Sequence, residues 1–504
     1  MRRTFVFLSL LGMLGTVAAV GVMRQAPPMP EADDSKDGEA AAPDDDASST
    51  PAKSADGSPD ASGDASSDAS KGASGDASAD ESEGKGDAAV PAEPEPLRVV
   101  ALGWEILAPG VLANGGMKAG EQSRFKEVGL DVTFAAVSDA EQVEVRLGRG
   151  GKDDKGADVA LMPLPAFAAS YERLRALSPQ VFFVVAWSRG RDAMVGDADL
   201  LRQPPRGEVR VSGAAGSSET LLALFALDQA GVSPNRVKLV EGNKKKRASL
   251  EAVQRRKSRE LDARRLVMST ADATHLVPVV AVAPLGVVER RRAALARWSK
   301  TWMDGARTLS ADPPEAARQL AAQKSAPEAV DLIDALGWLE FTDLHEAAQA
   351  AGLSGRSAVN LDALFHRTWD LWREIGLLTT PPPERVPLSA TIIADLARET
   401  TALTPKTSRV AARGDAETLL VRTVPGRRLN AEAESSLVSE VGFLAGVFSR
   451  STLEVWIPRS PEAAERVANH ASDRFGLPEG RVVVRRDKDR KAGKAAVITV
   501  RAAQ

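Results

Sequence analysis

The chain has 504 residues, enough for two or three domains, and its 43% hydrophobic content can supply ordinary packed cores. It contains no cysteine, which excludes disulfides, lipid-modified cysteine, thiolate zinc sites and thiol redox chemistry. The net charge of −4 hides an asymmetry: residues 1–30 carry three Arg and no acid, residues 31–95 carry 19 acids against 4 Lys, and the remainder is net +8.

Arg2 and Arg3 precede the uncharged run Thr4 to Met23, which ends at Arg24. A positive start followed by an apolar segment of near-bilayer length predicts export. It is read as either a cleaved signal peptide or a retained inner-membrane anchor over residues 1–24, since Val17-Ala18-Ala19 offers small residues for cleavage while the apolar run continues past them. The start also approaches the twin-arginine pattern, but almost nothing precedes the arginines and ordinary secretion is expected. Residues 25–96 are Asp, Ser, Ala, Gly and Pro with a loose Asp-Ala-Ser repeat. High charge and low hydrophobicity predict an extended acidic linker there, serving as a spacer or as a solubilising tail.

From Pro96 short apolar runs alternate with amphipathic stretches. Strands are predicted at Val99–Leu102, Val132–Val137, Val159–Leu161, Val181–Ala186, Val209–Ser212 and Val237–Val240, with helical patterns such as Thr220–Ala230 between them. Val99 to Val137 reads as strand, loop, helix ending near Gly129, strand, the opening of a parallel sheet with Trp104 at a strand's carboxyl end, where such sheets bind ligands. Residues 284–322 and 327–378 read as mostly helical, with Trp298, Trp302, Leu309, Leu361, Leu364, Phe365, Trp369 and Trp372 at core spacing. The basic run Lys244 to Arg265 is expected to be a solvated helical face, with docking to an acidic partner or to the acidic linker as the alternative. After a linker at 396–413, a βαβαββ module is predicted over 414–504: Leu419–Thr423, Asn430–Phe448, Thr452–Ile457, Pro461–Phe475 capped by Gly476, Arg481–Val484 and Ala496–Val500.

No catalytic constellation is visible. His275, His345, His366 and His470 are scattered, and the chain lacks His-Glu-x-x-His, Gly-x-Ser-x-Gly, a P-loop and Gly-x-Gly-x-x-Gly, so no enzyme activity, metal or cofactor is expected. Binding features are better represented. Asn114-Gly115-Gly116 could form an N–H nest or a plain turn. Trp187, Ser188, Arg189, Arg191 and Asp192 stand at the end of a predicted strand, converging an indole, a hydroxyl and two guanidiniums there, and read as ligand contacts or as an interdomain hinge. Ser217 and Ser218 begin a helix, where hydroxyls and free N–H groups could hold an anion or simply cap the helix. Nucleic acid is not an expected partner outside the cytoplasm.

With these residues in hand, residues 97–395 resemble the periplasmic solute-binding proteins of the nitrate/sulfonate/taurine and thiamine-precursor type. The resemblance is carried by LGWEILAP, ANGG at 113–116, SRFKEVGLDV at 123–132, VFFVVAWSRGRDAMV at 181–195, GSSETLLALFALDQAGV at 216–232 and LVMSTADATHLVP at 266–278. Residues 414–504 resemble the OmpA C-terminal fold through RTVPGRRLNAEAESSLVSEVGFLAGVFSRSTLEVWI. The resemblance implies an α/β two-lobed type II periplasmic-binding-protein clamshell, with lobe 1 at 97–190 and 268–395 and lobe 2 at 191–267, followed by a small α+β domain.

It further implies a small polar or anionic solute captured by lobe closure, an ABC permease as partner, a periplasmic or otherwise extracytoplasmic location, and cell-envelope contact through the last domain. The site residues it carries over are Trp104, Asn114, Gly115, Trp187, Ser188, Arg189, Asp192, Ser217, Ser218, Ser269 and Thr270. Two departures stand out. Glu260-Leu261-Asp262-Ala263 runs directly into Arg264-Arg265-Leu266-Val267, which predicts a shortened or lost cleft strand. In the last domain Pro458-Arg459-Ser460 and Ala463-Ala464 stand where peptidoglycan-binding relatives have an Asp and an Arg, so the usual wall-binding chemistry is not expected. The rival reading is an envelope scaffold or sensor with a degenerate cleft.

Overall fold

The computed structural model describes residues 93–240, 248–255, 265–323, 326–399, 417–424, 430–485 and 495–502. The leader, most of the acidic linker, most of the linker at 396–413 and much of the basic run lie outside the described residues. Glu399, at the start of that linker, instead closes the helix Thr391–Glu399, whose Leu396 is buried.

The chain opens with β1 (Glu95–Leu102), β2 (Leu130–Val137), β3 (Val159–Pro163) and β4 (Pro179–Ser188). β1 pairs in parallel with both β2 and β3. The expected parallel start is therefore present, because apolar runs buried on both faces need helices to cover them. Where one helix was expected before Gly129 there are two, Ala108–Asn114 and Arg124–Glu127. Gly115 and Gly116, at φ +68° and +149°, divide them in a backbone region that larger residues avoid.

The chain then crosses into a second sheet: β5 (Asp192–Gly196), β6 (Val209–Ser212), β7 (Val237–Val240), β8 (Leu250–Gln254) and β9 (Leu266–Ser269), in the order β7-β6-β8-β5-β9. β8 corrects the expectation of a helical face in the basic run. Leu250 is buried and its strand lies between β5 and β6, and those ladder partners outweigh the local charge pattern. β9 is four residues long and pairs with β5, so the expected short strand is present at the sheet edge.

The chain returns to the first sheet through β10 (Pro278–Pro284), which runs antiparallel between β3 and β4, and β11 (Leu339–Phe341) completes the order β11-β4-β10-β3-β1-β2. This is a two-lobed α/β clamshell with two crossovers, at 188–192 and 269–278. The downstream helices bury Trp298, Trp302, Trp369 and Trp372 completely, as their spacing predicts, while β11 interrupts a stretch read as helical.

The last module has β12 (Thr418–Val424), helix Ala431–Val447, β13 (Thr452–Trp456), helix Pro461–Phe475, β14 (Val482–Val484) and β15 (Ala496–Arg501), in the predicted βαβαββ order. Its sheet runs β12-β15-β13-β14. Gly476, at φ +61°, caps the second helix as expected. Among the described residues no helix is long and apolar enough to cross a membrane.

Candidate functional site

A cleft of about 950 Å³ lies between the lobes. Its walls come from the carboxyl ends of strands, as open α/β sheets favour. Gly103–Glu105 follow β1, Ser138–Ala140 follow β2, Ala214–Glu219 follow β6, and Gln254 and Arg255 close β8. Arg191 enters from the first crossover, and Asp331 and Trp338 from the helical region.

Three of the helical segments that begin at this cleft, those after β1, β2 and β6, each carry an acid. Glu105 opens the turn Glu105–Leu107; Asp139 caps Ala140–Arg149 by accepting from Gln142 N at 2.9 Å; and Glu219 stands in the first turn of Ser218–Gln229. These carboxylates offset the partial positive charge that helix starts present. Ser217 caps the third helix, its Oγ accepting from Thr220 N at 3.4 Å. Two of the three cleft arginines are also committed. Arg191 pairs with Glu105 at 2.7 Å, and Arg173 makes two bonds to Glu144 at 2.6 and 2.7 Å. Arg255 has no ion-pair partner among the described residues; its guanidinium lies 5.4 Å from the Trp338 ring centroid.

Of the residues predicted to bind, Trp104, Ser217 and Ser218 line this cleft. Trp104 is 8% exposed and its indole N–H has no hydrogen-bond partner among the described residues. Asn114 and Gly115 lie away from it. Asn114 is fully buried and holds a loop, donating to Gly116 O at 3.0 Å and Val132 O at 2.9 Å and accepting from Ser123 Oγ at 2.7 Å.

Trp187, Ser188, Arg189, Asp192, Ser269 and Thr270 gather at the crossovers. Ser188 Oγ lies 2.7 Å from both Asp192 Oδ2 and Thr270 Oγ1, and Thr270 Oγ1 accepts from Gly190 N at 2.8 Å. Thr270 N donates to Asp192 O at 2.9 Å, and Ser269 N to Asp272 Oδ2 at 2.9 Å. Burial raises the Asp192 carboxyl to about 6, against the opposing pull of Arg191. Arg189 is ion-paired to Glu340 and reaches His275 Nε2 at 3.3 Å, while Trp187 meets the His275 ring edge-on at 4.9 Å. Burial first, and then Arg189, lower His275 to about 3, so its ring is neutral.

Sequence reasoning missed Glu105, Glu219, Arg255 and Trp338, whereas Arg191, one of the two guanidiniums of the WSRGRD motif, does line the cleft. Glu105 and Glu219 sit inside the motifs already singled out, each next to a position chosen. Arg255 was hidden in a charge run, and no local pattern marks Trp338, which reaches the cleft from a distant helix end. Among the described residues no group of three or more His, Asp or Glu could hold a metal ion.

The fold and cleft define a class: an α/β clamshell with a tryptophan-lined space between its lobes. No protein-family profile matches the sequence, and no curated protein matches it. Among solved structures, the chain is similar to the alkanesulfonate-binding protein SsuA from Xanthomonas axonopodis pv. citri bound to MOPS, at 16% identity over 60% of this chain and 100% of that one, with a TM-score of 0.41. It is also similar to the periplasmic nitrate-binding protein NrtA from Synechocystis PCC 6803, at 11% identity over 61% and 86%, TM-score 0.42. A third is a putative periplasmic sulfonate-binding protein SsuA from Methylobacillus flagellatus KT, at 12% identity over 63% and 100%, TM-score 0.42.

Proposed function

We propose that the chain is an extracytoplasmic solute-binding protein of an ABC-type uptake system, taking a small polar or anionic ligand between its two lobes. The observation that carries this reading is the cleft of about 950 Å³ at the carboxyl ends of β1, β2, β6 and β8, a size suited to a small molecule. Trp104 and Trp338 offer apolar surface and Arg255 an uncommitted guanidinium for a negative group. Ser217 and Ser218 offer hydroxyls at a helix start. Trp187, Ser188, Asp192, Ser269 and Thr270 serve this site by shaping the crossovers rather than by touching the ligand. The apolar run Thr4 to Met23 supports export, with the acidic stretch as spacer.

The last module is assigned an envelope role without peptidoglycan chemistry. Ala463 and Ala464, where the resemblance to the OmpA C-terminal fold would put a binding side chain, are 2% and 1% exposed and belong to the module's core. The scaffold or sensor reading is favoured by one observation: the second crossover is bonded to this module, His275 N donating to Val447 O at 3.0 Å.

Thermal denaturation and calorimetry against oxyanions, alkanesulfonates and pyrimidine precursors test the uptake reading. A ligand at about 100 times its Kd should add about 2.7 kcal/mol of stability. Trp104→Ala and Arg255→Ala should abolish that gain. No ligand-linked rise with any of the panel would overturn the reading in favour of the scaffold.

A further inference from the structure

We propose that the C-terminal module is a brace that fixes the angle between the two lobes, so that the cleft takes its ligand at constant aperture rather than by closing. The ligand part rests on the function proposed above; the brace itself does not.

Bending between two lobes requires the backbone of both crossovers to turn. The second crossover is held at its middle by the module. His275 N donates to Val447 O at 3.0 Å, His275 Nδ1 lies 3.2 Å from Gly446 O, Thr274 Oγ1 lies 2.6 Å from Ser449 Oγ, and Ser449 N donates back to Thr274 Oγ1 at 3.2 Å. On its other side His275 packs edge-on against Trp187 and bonds Arg189 of the first crossover. One half-buried imidazole thus joins module, first crossover and second crossover.

The same module is seated on the second lobe. Arg422 Nη1 donates to Asp228 O at 2.7 Å, Arg202 Nε to Thr418 O at 3.1 Å, and Arg202 pairs with Glu417 at 2.7 Å. Phe225 of the lobe lies 6.2 Å and 6.4 Å, centroid to centroid, from Phe443 and Phe448 of the module. On the first-lobe side, Arg450 pairs with Glu340 of β11 at 3.8 Å. Arg356 donates to Asp473 O at 3.0 Å and Gly446 packs so closely on Val359 that a Cβ would overlap it, on a segment that leads into a helix reaching the second lobe through Arg367 and Asp228. Rotating one lobe against the other would break one of these two sets of contacts, and loss of the second-lobe set would expose the Phe225–Phe443–Phe448 cluster to water. Packed interfaces of this kind occupy discrete states and do not stretch.

Because the chain has no cysteine, Glu141→Cys on the first lobe and Arg206→Cys on the second can be spin-labelled cleanly in the full chain. Both positions are exposed. Pulsed dipolar spectroscopy should give one narrow distance distribution, unchanged by any solute that raises the melting temperature. Arg202→Ala combined with Arg422→Ala, confirmed folded by circular dichroism, should broaden it toward longer distances. Phe443→Ala provides a second route to the same loosening. A wild-type distribution that is bimodal, or that shortens with ligand, overturns the brace, as do weakened variants that match wild type. If no panel solute binds, the uptake reading fails while the ligand-free distributions still decide the brace.

Discussion

Arg191 and Glu105 meet at 2.7 Å with side chains only 7% and 21% exposed, joining the first crossover to the loop after β1 at the edge of the cleft. Removing either partner leaves a largely desolvated charge without its counter-ion, and the desolvation cost then outweighs anything gained by truncation. Arg191→Ala and Glu105→Gln should each lower unfolding stability by about 1–3 kcal/mol. In urea titrations the double variant should lose less than the sum of the two. Additive losses would mean that the pair is not coupled.

Gly446 sits in a helix, where alanine would ordinarily gain about 1 kcal/mol. Here the added methyl would overlap Val359, whose β-branched side chain cannot swing aside. Overpacking of this kind costs about 1–3 kcal/mol, so Gly446→Ala should destabilise despite its better propensity. Adding Val359→Ala should restore the loss. A stabilised single variant would show that the seat is looser than described.

Asp192 and His275 act in opposite directions on the pH dependence. The native Asp192 carboxyl, raised from 3.8 to about 6, costs stability fully above pH 6, and that cost vanishes as pH falls to 3.8. Asp192→Asn should therefore raise the melting temperature at pH 8 and leave it unchanged near pH 3.5. Native His275, lowered from 6.5 to about 3, stays neutral while the unfolded chain takes up a proton, so stability falls as pH drops from 6.5 to 3. His275→Gln should remove that acid loss. Melting curves from pH 3 to 8 for the three proteins check both signs.

Arg481 is 2% exposed in the C-terminal module, and its guanidinium donates to Ala445 O at 2.7 Å and to Phe448 O, closing the end of the helix Ala431–Val447. Burial lowers its pKa to about 10, still well above neutrality, so the charge is retained. Arg481→Ala should cost about 1–3 kcal/mol by leaving those carbonyls unpaired. Arg481→Lys, which keeps the charge and loses the planar fork, should recover only part of it. Equal losses in the two variants would mean that charge contributes nothing there.

The elements legible in the sequence are those whose signal is local. Val99–Leu102, Val181–Ala186 and the βαβαββ module follow from apolar period and caps, and Trp298, Trp302, Trp369 and Trp372 follow from helical spacing. β5, β8, β10 and β11 were missed; their stability comes from ladder partners far away in the chain, which no window of neighbouring residues contains.

The amino-acid sequence by itself determined the α/β alternation, the order of the segments, the absence of thiol chemistry and the motifs from which the site is drawn. Which side chain in each motif faces the cleft was decided only by tertiary structure. In WSRGRD the crossover turns Trp187, Ser188 and Arg189 inward against His275, Thr270 and Glu340 and sends Arg191 to the cleft. The direction a side chain takes at the end of a strand depends on where the next strand must pair, and that pairing spans tens of residues.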